Sequence, residues 1–287
     1  MKSFKIFVLL FGVTFNALCQ SFYIEPFFSR GFGTNPLFYG SSNVLIEFSP
    51  DTVIETFSYN SHKFSMGEGN AFGLVAGKEV SNNLSLEIGL SYYKSKEVPV
   101  KFATKYMYIP LNIYNVELTG EKKFKAQTFN FYPSVKISAN RKKIATPYFR
   151  AGVFLSYHKF SELYTIEIYN NLPGYYPRET YEYYYQYSPN ILYGWFESIG
   201  VEFFHDKFLN IFLEAKYLNL NYIPRYKRCV KHLYMGEDNM HNIEKDEEMI
   251  YFAEAYSDND PDVFGRNLRQ KFSLSSLSLK VGVKYYF

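Results

Sequence analysis

Apolar and polar positions alternate with a period of two over one stretch of the chain after another. The clearest is 84–92, where Leu84, Leu86, Ile88, Leu90 and Tyr92 share one parity and Ser85, Glu87, Gly89 and Ser91 the other. Successive side chains of a strand point to opposite faces, so this stretch is a ribbon with one apolar and one polar face. The chain closes on the same pattern, with Leu277, Leu279, Val281, Val283, Tyr285 and Phe287 set against Ser278, Lys280, Gly282, Lys284 and Tyr286. Alternation also predicts strands over 21–30, 64–80, 123–138, 146–158, 191–205 and 209–217, about eight in all.

The connections have a rhythm of their own. Ser81-Asn82-Asn83, Asn140-Arg141-Lys142-Lys143 and Asp206-Lys207 are short turns, each after an even-numbered strand. Long loops follow the odd-numbered strands, among them 162–190 and 223–269. Short turns on one rim and long loops on the other are the habit of barrels that cross a membrane, periplasmic and extracellular respectively. The pattern therefore predicts an all-β fold, an antiparallel up-and-down transmembrane β-barrel. Segments 43–48 and 52–58, flanking Ser49-Pro50-Asp51, are expected to form a hairpin decorating the first loop. Counted into the barrel, they would give ten strands instead of eight.

Composition sharpens this. Aromatic residues make up 21% of the chain, with Tyr and Phe at 29 each, more than one soluble core requires. Membrane barrels place such residues in girdles at both interfaces. The mean hydropathy of −0.23 argues against a bundle of membrane helices. A net charge of +3 gives no reason to expect a nucleic-acid partner.

The N-terminus predicts a compartment. Lys2 and Lys5 precede a short apolar run, Ile6 to Phe15, and Ala17-Leu18-Cys19 offers small residues at the positions a signal peptidase reads. The expectation is a signal peptide over 1–19, cut before Gln20, with the barrel domain over 20–287. A lipid-modified Cys19 is the alternative, though Asn16 and Leu18 fit a lipobox poorly. After cleavage Cys229 has no partner for an intrachain disulfide.

Two stretches carry a family resemblance. Lys280-x-Gly282-x-x-Tyr285-x-Phe287 resembles the C-terminal assembly signal of bacterial outer-membrane barrels. Gly67-x-Gly69 with Phe72-Gly73-Leu74, followed by Asn82 to Tyr92, resembles the second and third strands of small barrels of the OmpA/OmpX-like type. The resemblance implies an eight-to-ten-stranded barrel in a Gram-negative outer membrane, with lipid and the barrel-assembly machinery as partners. It implies no particular activity, because the fold hosts adhesins, anchors and enzymes alike.

Three groups of residues are candidates for function. Parity places Glu25, Glu87, Glu202 and Glu214 inward, together with Lys136, Arg150, Lys216, Lys280 and Lys284. These charges either line a polar channel or pair off to fill an interior barely wider than its own side chains. The near balance of signs favours pairing, since an unpaired buried charge is costly. A second group, Tyr175, Tyr176, Tyr181, Tyr183, Tyr184, Tyr185 and Tyr187, crowds one long loop and suits contact with an extracellular glycan or protein. Alternatively these tyrosines continue the strands above the membrane and pack on one another. Third, Asp258-Asn259-Asp260-Pro261-Asp262 has the oxygen ligands calcium prefers, but Val263 stands where a calcium loop needs glycine, so a solvated loop is expected.

No Gly-x-Ser-x-Gly elbow or histidine at a recognisable motif spacing points to a hydrolase. The sequence thus predicts a monomeric, non-enzymatic outer-membrane barrel with a plugged lumen, no cofactor, no metal and a structural or surface-binding role. A narrow transporter for small solutes and, behind it, a membrane-embedded hydrolase are the alternatives.

Overall fold

The computed structural model describes residues 22–34, 37–48, 53–108, 114–139, 144–170, 178–203, 209–253, 266–268 and 272–287. The expected signal peptide and the acidic stretch 258–262 lie outside these residues. Eighteen strands follow in order: β1 (Phe22–Gly33), β2 (Leu37–Phe48), β3 (Val53–Phe64), β4 (Gly69–Glu79), β5 (Leu84–Ser95), β6 (Val98–Tyr108), β7 (Tyr114–Ser138), β8 (Ala145–Asn170) and β9 (Arg178–Tyr187). The second half holds β10 (Ile191–Phe203), β11 (Leu209–Asn219), β12 (Asn221–Tyr222), β13 (Tyr226–Tyr234), β14 (Glu237–Asp238), β15 (Met249–Ala253), β16 (Arg266–Leu268), β17 (Phe272–Ser273) and β18 (Ser276–Tyr286).

Eight of them close a ring in the order β1-β4-β5-β7-β8-β10-β11-β18, each antiparallel to the next, with β18 pairing back onto β1. The eight are the strands the alternation predicts, and β2 and β3 form a hairpin outside the ring, as does the rest of the sheet. Phe22 and Phe287 meet at one rim, the Phe287 amide donating to the Phe22 carbonyl at 2.9 Å. The turn at 81–83, which joins β4 to β5, lies at that rim too, while 140–143 and 206–207 lie outside the described residues.

The ring's outer surface is apolar all the way round. Ile88, Phe131, Val153, Ile199, Leu213 and Val281 are all exposed on it. Cross-strand partners Phe28–Phe72, Phe72–Tyr92, Tyr92–Phe129 and Phe129–Tyr157 lay an aromatic girdle across neighbouring strands at the level away from the turns. Inside, glycines make room for rings. A Cβ on Gly89 would sit 2.1 Å from the Tyr132 ring, and one on Gly200 2.4 Å from Tyr148.

The architecture departs from the sequence reading above the ring. β7 has 25 residues and β8 has 26, whereas a tilted strand crosses a membrane in roughly 9–11. Their far halves stay paired and carry a wing: β6, β2 and β3 extend it on one side, and β9, β13, β15 and β16 on the other. Most of the stretch expected as a loop over 162–190 is thus the top of β8 followed by strand β9. Backbone hydrogen bonding explains this. Once β7 and β8 project together, each offers a free edge that further strands satisfy.

Candidate functional site

The interior of the ring is filled from the turn side by charges that strand alternation brings to one height. Lys136 and Arg150 are cross-strand neighbours on β7 and β8, as are Glu214 and Lys280 on β11 and β18. Arg150, fully buried, is the hub. Its guanidinium reaches Glu25 at 2.5 Å, Glu87 at 2.6 Å through Nε, and Glu214. Lys136 pairs with Glu25 at 3.1 Å and with Glu202, while Lys284 lies 3.2 Å from Glu202 and 3.8 Å from Glu79. Lys280 is 3.4 Å from Glu214. Tyrosine hydroxyls add further donors to carboxylate oxygens that Arg150 also contacts: Tyr23 donates to Glu87 at 2.6 Å and Tyr148 to Glu214 at 2.8 Å.

Buried charges persist only where pairing and hydrogen bonds replace lost water, and this network supplies both. Eight of the nine candidate residues, Glu25, Glu87, Lys136, Arg150, Glu202, Glu214, Lys280 and Lys284, lie in it. Lys216 does not. Its ammonium lies 4.2–4.7 Å from the centroids of Tyr132, Phe154 and Phe196 and pairs with no carboxylate among the described residues. Sequence reading passed over Glu79 and the tyrosines. Tyr23 has the same parity as Glu25, which was the available signal; Glu79 sits at the turn, where parity is least informative.

At the other end stands an aromatic cluster, the cap. The segment leaving β11 and the one returning to β18 pair as β12 and β17, apart from the main sheet. They bring Tyr222 and Phe272 against Phe160, with ring centroids at 5.7 and 4.6 Å, and Phe124 and Tyr187 complete the cluster. The Tyr222 hydroxyl donates to the Ser188 carbonyl at 2.8 Å, fixing the cap to the wing. Between cap and network remains a cavity of about 50 Å³.

For the described tyrosines the structure follows the second of the two readings, strands that pack on one another. Tyr181, Tyr183, Tyr184, Tyr185 and Tyr187 belong to strand β9, not to a loop, while Tyr175 and Tyr176 lie outside the described residues. Tyr183, Tyr185 and Tyr187 are buried. Tyr183 stacks on His232 at 4.3 Å, and Tyr187 donates to Glu162 at 2.5 Å. Glu162 also meets Lys227 at 3.0 Å and Lys122 at 4.0 Å. Burial alone would raise its carboxyl, but the two ammonium groups and the tyrosine hydroxyl more than offset that and hold it below the usual range. Tyr181 and Tyr184 remain half-buried, their hydroxyls donating to Glu179 and Glu182.

Of the assembly-signal residues, Lys280 faces the network, and Gly282 lies where a Cβ would meet the Pro26 carbonyl at 2.3 Å. Tyr285 and Phe287 point outward beside the turn rim, their rings 5.1 Å apart.

No family model matches the chain, and no curated protein does. Among solved structures it is similar to the outer membrane protein OprG from Pseudomonas aeruginosa, with 9% identity, a TM-score of 0.43 and coverage of 93% of this chain and 96% of that one. Neisserial surface protein A (NspA) matches with 12% identity, a TM-score of 0.34 and coverage of 93% and 97%. The fold itself rests on the ring. A closed eight-strand antiparallel ring, apolar outside and charged within, is the architecture of small outer-membrane β-barrels, and it is to proteins of that kind that this chain is similar.

Proposed function

We propose that the chain is an integral outer-membrane barrel whose lumen is shut to ions and whose projecting sheet makes contacts at the cell surface. The observation that supports this reading is the pair of side-chain clusters within the ring, the Arg150 network at the turn end and Phe160, Tyr222 and Phe272 at the other. In a narrow barrel an ion can pass only by displacing such groups, and breaking buried pairs is costly. Outer-membrane lipid would surround the apolar belt, and the assembly machinery would read β18. The half-buried Tyr181 and Tyr184, with the exposed side of β13 beside them, would face an extracellular glycan or protein. This reading assigns the chain no catalysis; His158 and His232 lie against the Tyr222 and Tyr183 rings.

Planar-bilayer recording of the purified protein tests the closure. Silence is expected, and stable openings of porin size would overturn it. Protease added to whole cells should cut within 161–190 and 223–270 and spare the turns at 81–83 and 206–208; the reverse pattern would invert the topology.

A further inference from the structure

The cavity between network and cap has a polarity that neither plug explains. Toward the network stand two ammonium groups, Lys216 and Lys280, with Ser278 the cross-strand partner of Lys216; further toward the cap stand Leu218, Leu220 and Leu274, and hydroxyls such as those of Ser29, Ser91 and Thr128 also line the space. Its lining contains no carboxylate. Lys280 has Glu214 at 3.4 Å, but Lys216 has only ring faces at close range and pairs with no carboxylate among the described residues. Lys216 is half-buried, and an ammonium group partly withdrawn from water with no carboxylate beside it is stabilised by a counter-charge that joins it. Its lining suits an occupant with an anionic end and an apolar end. At about 50 Å³, with roughly 10–15 Å³ needed per water, it admits a species of a few non-hydrogen atoms.

We propose that this cavity is a binding site for a short-chain monocarboxylate, its carboxylate on the Lys216 ammonium and its alkyl end against Leu220 and Leu274. A bare halide would satisfy the charge but leave the apolar wall unfilled. A neutral molecule of the same shape would fill the wall and leave Lys216 without a counter-charge. The site stands apart from the surface contacts of the wing and would persist if those proved absent.

The test refolds urea-unfolded protein into detergent micelles in the presence of sodium propionate, so that ligand is enclosed as the barrel closes. Sodium chloride and propionamide serve as the matched anion and the matched neutral shape. Propionate should raise the urea midpoint in a saturable way, with chloride at equal ionic strength and propionamide giving no such rise. Equal shifts from propionate and propionamide, or from propionate and chloride, would overturn the proposal. Lys216→Met keeps the stem and removes the charge, and should weaken propionate binding at least tenfold. Ser278→Asp places a carboxylate inside the cavity; it should raise stability without ligand and abolish the propionate effect. If Lys216→Met does not refold, Ser278→Asp decides alone, and retained propionate binding in it sinks the idea.

Discussion

β7 and β8 are bonded to each other from Ser138 opposite Tyr148 to Val116 opposite Asn170, yet the two halves of this ribbon obey different rules. In the half inside the ring, Phe129, Ile137, Val153 and Tyr157 are more than half exposed while Asn130, Lys136, Arg150 and Ser156 are buried. In the projecting half the contrast fades: from Leu118 to Lys123 and from Leu163 to Ile168, residues of both parities are half-buried. The backbone ladder is the same throughout. What changes is the surroundings, a distinct medium on each face below and similar ones on both faces above. Side-chain alternation is thus a record of two unlike solvents, and it weakens where the solvents become alike.

That comparison can be broken experimentally, beginning where the effect is largest. Arg150→Ala strips three carboxylates of a partner at once, and one broken buried pair typically costs about 3–5 kcal/mol. The variant should lose most of its folded, heat-modifiable gel band, whereas Arg228→Ala in the wing, paired with Glu248 at the surface, should shift the urea midpoint by less than about 0.5 kcal/mol. A midpoint for Arg150→Ala equal to that of the unmutated protein would dissolve the distinction between the halves.

The outer face comes next. Ile88→Arg, near mid-height on β5, should destabilise the protein in lipid vesicles by about 2–4 kcal/mol, the range for a cation at the bilayer midplane. Tyr251→Arg, equally exposed but on the wing, should leave vesicle folding unchanged. Similar losses from both would mean that the exterior of the ring is not the lipid-facing surface.

The wing has a pH response of its own. The Glu162 carboxyl is held down in the folded state, so its stabilisation is full above the ordinary carboxylate pKa of about 4.3 and is lost as pH falls through the lower folded value. Acidification below pH ~4 should therefore open 159–190 to an acid-active protease while the ring stays intact. Glu162→Gln should already be sensitive at pH 7 and should no longer respond to acid; a variant as resistant as its parent would deny Glu162 this role.

The same contrast explains what could be read in advance. The ring strands were legible because residues such as Leu86 and Glu87 answer to different media, and the turns because Ser81-Asn82-Asn83 interrupts that parity. The strand predicted over 123–138 begins at 114, and the one predicted over 146–158 runs on to 170, so the error falls wholly in the projecting halves. Tyr183 and Tyr185 looked like loop residues because tyrosine tolerates either setting, and only their pairing with β13 fixes which. Inwardness of Arg150 could be read from parity, but its partners could not. Glu25 and Glu214 come to it from strands far away in sequence, at heights that only the ring's stagger sets.

The seam between β1 and β18 has a consequence in time. It joins Tyr23 to Tyr286 and Phe28 to Val281, residues from the two ends of the folded chain. Contacts so distant along a polypeptide form late, because loop closure must precede them. Until β18 arrives, β1 and β11 each keep an unsatisfied edge, and an open edge is a template for pairing with another copy. The last strand therefore acts as a completion signal as well as a structural part. A chain interrupted before Ser276 could assemble much of its sheet, yet would remain sticky along two margins and open to capture by chaperones or proteases.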